Sequence, residues 1–102
     1  MSQFDVFRSS SSAAYPLLVD LQADLHSKLG TRIVVPLMTL VRFGGKPPTR
    51  LTPVLTVRGK DYVAMFPSLL AVPMSALGQV VDSLASQRAA LIAALDLLIT
   101  GS

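Results

Sequence analysis

Hydrophobic and polar positions alternate with a period of two in the first strand-like segments of the chain and shift to a helical period near its end. In Gln3 to Arg8, Phe4 and Val6 fall on one face, with Gln3 and Asp5 on the other, which predicts a strand. Tyr15 to Gln22 repeats the pattern: Tyr15, Leu17, Val19 and Leu21 oppose Asp20 and Gln22. The two segments, separated by the serine run Ser9 to Ser12, read as a hairpin, with Pro16 at a strand start or edge. Ala23 to Gly30 reads as a loop. Thr31 to Leu37 is rich in β-branched residues and predicts a buried strand kinked at Pro36, and Met38 to Phe43 is read as a further short strand. Gly44 to Pro48 must be a loop. Leu51 to Val57 and Tyr62 to Phe66 flank Arg58-Gly59-Lys60-Asp61, a hairpin signal because Gly59 supplies the positive φ of a tight turn. Ala71 to Pro73 reads as a brief pairing, and Pro73 as the start of a helical turn through Leu77.

The period then changes. From Asp82 to Ser102 the chain reads as one helix, with Leu84, Leu91, Ile92, Leu95, Leu98 and Ile99 on its apolar stripe and Val81 and Ala85 extending it. Asp82 or Ser83 is the expected cap and Gly101 the expected terminator. The opposite face carries Ser86, Ala89, Ala90, Ala93, Leu97 and Thr100. Its one charge after Arg88 is Asp96, at the end where the helix macrodipole disfavours an anion. A weakly polar solvated face explains this, as does a face that meets a partner's cation. Five or more short strands followed by one helix predict a mainly-β fold of one domain over residues 1–102, an antiparallel barrel or curled sheet with a helix packed on one end.

Composition narrows the functional classes. Hydrophobic residues make up 51% of the 102 residues and mean hydropathy is +0.56, which suits a protein that hides apolar surface in an oligomer. No apolar run approaches the ~20 residues of a membrane span, and the first residues lack the apolar core of a signal peptide, so a cytoplasmic protein with no membrane partner is expected. With no cysteine and a lone histidine, His26, there is no disulfide framework and no expected metal site or cofactor. No phosphate-binding glycine loop and no acid–base pair is evident, so the chain is expected to act by contact and not as an enzyme. Net charge is +3, with Arg42, Lys46, Arg50, Arg58 and Lys60 clustered, which suits an acidic partner or a solvated surface.

Several strings occur together in order: Gln3-Phe4-Asp5-Val6-Phe7, Leu18-Val19-Asp20-Leu21-Gln22-Ala23-Asp24, Arg32-Ile33-Val34-Val35-Pro36-Leu37, Pro53-Val54, Ala71-Val72-Pro73 and the Leu-rich closing helix. Over essentially the whole chain this resembles the CcdB family of toxins, the gyrase-poisoning half of a toxin–antitoxin pair. The resemblance implies an SH3-like barrel of antiparallel strands with a C-terminal α-helix, the fold shared with messenger-RNA-cutting toxins, assembled as a homodimer. It implies binding to the A subunit of DNA gyrase and trapping of the cleaved-DNA complex without covalent chemistry. It also implies release by a cognate CcdA-like antitoxin, and operator DNA contacted only through the antitoxin complex, which represses its own operon. Carried over by position, the gyrase-facing residues are Leu25, His26, Arg88, Asp96, Ile99, Thr100, Gly101 and Ser102. The basic residues Arg42, Lys46 and Arg50 are the expected antitoxin contacts. Where a well-known member closes on Trp-Gly-Ile, this chain has Thr100-Gly101-Ser102, and Arg88 stands where that member has an acid. Two alternatives remain open: an endoribonuclease toxin of the same fold, and a nontoxic relative that only binds antitoxin.

Overall fold

In the computed structural model the described residues are 2–9, 15–23 and 30–101. The strands are β1 (Asp5–Ser9), β2 (Leu17–Asp20), β3 (Thr31–Thr39), β4 (Val54–Val57), β5 (Lys60–Ala64), β6 (Leu70–Pro73) and β7 (Leu77–Ser83). A single helical turn, α1 (Leu40–Phe43), lies between β3 and β4, and α2 (Arg88–Thr100) ends the chain. The strands form one seven-stranded antiparallel sheet in the order β4-β5-β3-β2-β1-β7, with β6 pairing beside β5 along the long strand β3. This is a mainly-β fold, a curled antiparallel sheet that forms a half-barrel, with a C-terminal helix.

The expected β1–β2 pairing is present, with Val6 opposite Val19 and Phe7 opposite Leu18. The strand begins two residues later than the alternation suggests, because Phe4 adopts φ 70° before it. That is a rare conformation for a bulky side chain. Bonds on both sides hold it: Phe4 N–H donates to Asp20 C=O, and Phe4 C=O accepts from Leu84 N–H. The β4–β5 hairpin forms around Arg58-Gly59, both with positive φ, the pairing that a two-residue turn requires.

Two cores explain the burial of β2 and β3 on both faces. Leu17, Val19, Val35 and Leu37 point into the main core with Val6, Leu55, Phe66, Leu84, Leu91 and Ala94. Leu18, Val34 and Val72 form a second, smaller core under β6, closed by Ala76 and Leu77. Asp20, expected on a polar face, is therefore fully buried. It lies on the second-core side and is matched there by Arg32, whose Nη2 and Nε donate to Asp20 Oδ2 at 2.8 and 3.0 Å. Arg32 Nη2 also donates to the Gln22 carbonyl at 2.9 Å, which fixes the chain just after β2.

Three other expectations are corrected. Of Met38 to Phe43, only Met38 and Thr39 continue as a strand. β3 runs through Pro36 to Thr39, and Leu40–Phe43 turn into α1, whose start is capped by the Thr39 hydroxyl accepting from Arg42 N–H and whose end is closed by Gly44. The terminal helix does not begin at Asp82. Leu77–Ser83 pairs with β1, with Asp82 opposite Val6, Ser83 opposite Asp5 and Val81 at the register shift before them, and Asp82 and Ser83 cap no α-helix. The chain turns at Ala85–Gln87 and becomes α-helical at Arg88. Ile99 does not share the buried stripe; it is 70% exposed.

Candidate functional site

Thirteen residues form α2, and its pattern decides which of them can meet a partner. Leu91 and Ala94 are buried, and Ile92, Leu95 and Leu98 pack against the main core. Burying Leu91 fully stabilises the docked helix by roughly 1.5–3 kcal/mol. This face anchors α2, so the residues of the helix left outside it are presented in a defined orientation. Arg88, Ala89, Ala93, Asp96, Ile99 and Thr100 are exposed. Gly101 closes the helix at φ 77° by donating its N–H to the Leu97 carbonyl at 2.9 Å.

Arg88, Ala89, Ile92, Ala93 and Asp96 line one shallow groove along α2. The spacing of Arg88, Ile92, Asp96 and Ile99 places them on one stripe, and the eight positions from Arg88 to Asp96 span ~12 Å at 1.5 Å per residue. The stripe thus reads as a cation, a small apolar floor, an anion and then an exposed aliphatic side chain. Arg88 is held from below: its Nη1 donates to Gln3 Oε1 at 3.2 Å, and its guanidinium lies 5.6 Å from the Phe4 ring centroid. Gln3 is itself tied down, its Nε2 donating to the Leu21 carbonyl at 3.0 Å. At the other end, the Asp96 carboxylate finds no cation among the described residues. Only its backbone carbonyl is used, accepting from the Thr100 hydroxyl at 2.6 Å. An anion left unpaired at a helix C-terminus carries an electrostatic cost that a partner's cation would remove.

The structure therefore brings together Arg88, Asp96, Ile99, Thr100 and Gly101 of the expected site. Leu25, His26 and Ser102 lie outside the described residues. The expected antitoxin contacts sit elsewhere: Arg42 in α1, Lys46 in the loop after it and Arg50 in the turn before β4, all exposed. Gln3 and Phe4 support Arg88, a role the sequence does not signal, because a contact between the chain's two ends leaves no local pattern. No group of three His, Asp or Glu side chains converges as a metal site among the described residues. No helix among them is long and apolar enough to cross a membrane.

Comparison with known proteins bears on what this surface does. The family model described as "CcdB protein" matches residues 3–101. Among solved structures, the chain is similar to an endoribonuclease in complex with its cognate antitoxin from mycobacterial species. The TM-score is 0.74 at 11% identity, over 94% of this chain and 91% of that one. At that identity the likeness concerns the fold.

Proposed function

The chain belongs to the CcdB family, toxins of toxin–antitoxin systems, and on that footing we propose that it binds the A subunit of DNA gyrase and traps the topoisomerase on cleaved DNA. It acts by contact and not as an enzyme. The carboxyl end of α2, presented twice by a homodimer, lodges against the gyrase. A cognate CcdA-like antitoxin removes it, drawing on the basic residues Arg42, Lys46 and Arg50, and operator DNA is reached only through that complex. Its place of action is the cytoplasm, where gyrase works.

The observation that carries this reading is the Arg88–Ile92–Asp96–Ile99 stripe. It carries a cation and an anion about 12 Å apart, and the Asp96 carboxylate meets no cation among the described residues. Purified gyrase and this chain in a supercoiling assay test it: inhibition with accumulated cleaved DNA is expected. Undiminished supercoiling at large excess of the chain would reject the reading for that gyrase.

The likeness to an endoribonuclease in complex with antitoxin supports a second reading, cleavage of RNA on the same scaffold. RNA incubated with the chain alone tests it, and cleavage that disappears in Arg50→Ala would favour it. A nontoxic antitoxin-binding relative is the third. Expression without antitoxin separates it, since only a toxin stops growth.

A further inference from the structure

The largest exposure of a large apolar side chain among the described residues is not on α2. Val41, in α1, is 92% exposed, and its neighbour Leu40 is 44% exposed. α1 buries none of its residues. It is nonetheless a built element, capped at its start by Thr39 and closed by Gly44 at φ 81°, whose N–H donates to the Val41 carbonyl. The fold thus holds an aliphatic side chain in water at a fixed place, where it contributes nothing to either core.

Val41 lies on the edge of a groove formed by Thr39, Leu40, Val41, Gly59, Lys60 and Asp61, between α1 and the β4–β5 turn. From Leu40 to Lys60 the chain carries Arg42, Lys46, Arg50, Arg58 and Lys60 and no acid. Arg58 is turned away, its Nε donating to the Val81 carbonyl. Arg42, Lys46 and Lys60 are exposed, and the Lys60 ammonium stands 5.7 Å from the Tyr62 ring centroid. Asp61 is the single acid of the groove, and its Oδ1 is occupied by the Thr56 hydroxyl at 2.9 Å. An aliphatic contact point beside cations selects a segment that combines acidic residues with one aliphatic side chain.

We infer that this groove is where the antitoxin docks such a segment, seating one aliphatic side chain against Leu40 and Val41 while its carboxylates face Arg42, Lys46 and Lys60. The inference rests on the toxin–antitoxin reading above and adds to it a site that shares no residue with the α2 stripe.

The test measures binding of the antitoxin encoded beside this chain to the full-length chain by calorimetry, with Val41→Glu, Lys60→Glu and, as a control for bulk charge, Arg8→Glu. Arg8, Val41 and Lys60 are exposed, so all three variants should melt like the unmodified chain. Val41→Glu and Lys60→Glu are each expected to weaken binding by about tenfold or more, and Arg8→Glu by less than about twofold. Affinity should also fall as salt rises, as exposed charge pairs require. Full affinity in both groove variants, or an equal loss in Arg8→Glu, overturns the site and leaves the antitoxin reading standing. If the unmodified chain captures no antitoxin, both fall. If it captures antitoxin through this groove without inhibiting gyrase, the site stands and the gyrase reading falls.

Discussion

The side-chain amide of Gln87 hydrogen-bonds both backbone groups of Thr56, accepting from its N–H at 3.0 Å and donating to its C=O at 2.8 Å. The amide does for β4 what a neighbouring strand would do. β4 and β7 are the two ends of the strand order, and an unpaired edge is a site for unwanted pairing. Beside Gln87, the Asp82 carboxylate accepts from Arg58 N–H at 2.9 Å. Side chains from β7 and the start of α2 thus join the two ends of the curled sheet where no backbone ladder does, and they fix the position of α2 at the same time.

Gln87→Ala should therefore loosen this seam. A loss of ~1 kcal/mol is expected in denaturant unfolding, the ordinary worth of such bonds. Hydrogen exchange is the sharper readout: the Thr56 amide should lose protection while the β2 and β3 amides keep theirs. Unchanged protection at Thr56 would show that the seam is held by other contacts.

The Asp20–Arg32 pair makes a larger prediction. Both side chains are fully buried, and Arg32 Nη1 has no hydrogen-bond partner among the described residues, so within them the pair is not fully compensated for leaving water. Asp20→Ala, which strands the guanidinium, should cost about 3–5 kcal/mol. Asp20→Leu combined with Arg32→Met should recover most of that loss. A double variant as unstable as the single one would mean that the pair contributes more than its desolvation cost.

Two aliphatic positions on one helix should separate stability from action. Leu91→Ala removes a fully buried side chain and should cost ~2–5 kcal/mol. Ile99→Ala should change stability by less than ~0.5 kcal/mol, because the side chain is in water. On the proposed function, Ile99→Ala nonetheless weakens gyrase inhibition by ~2 kcal/mol, or about thirtyfold, if it is a hot spot. Melting curves and supercoiling titrations on both variants check the contrast; full inhibition by Ile99→Ala would remove it from the binding surface.

Gly101 offers a conformational test. A Cβ there meets no atom within 4 Å, so only its φ of 77° resists substitution. Gly101→Ala should fray the last turn at a cost of ~1 kcal/mol, while Gly101→Asn, which tolerates this conformation better, should lose less. Circular dichroism and gyrase inhibition measured together should rank the three chains Gly, Asn, Ala. Equal inhibition by all three would mean that the closing turn has no role in binding.

Local chemistry made much of the architecture readable. The Arg58-Gly59 turn, the Gly44 to Pro48 loop and the Gly101 terminator follow from residues within a few positions of one another, the β1–β2 pairing from two alternating segments close in the chain, and all are present. The family was readable for a related reason: strings such as Val19-Asp20-Leu21-Gln22 and Arg32-Ile33-Val34-Val35-Pro36-Leu37 carry β2, β3 and the buried ion pair that joins them. Other features depended on distant partners. Asp82 and Ser83 suit a helix start, but β1 offered Leu77–Ser83 a ladder, and the ladder prevailed. Leu40–Phe43 reads as the end of a strand that begins at Met38, yet β5 pairs with β3 only as far as Thr39, and beyond it a capped helical turn satisfies the backbone. That choice put Val41 in water. Apolar period alone could not assign Ile99 to core or surface, because α2 meets the barrel through Leu91 and Ala94 with Leu98 packed beside them, while Ile99, one residue on, is left in water. Spacing along the chain determined which residues could share a face; only the docking of α2 and the pairing of β7 decided which faces met water, since burial is set by what lies across from a residue and not by what lies beside it.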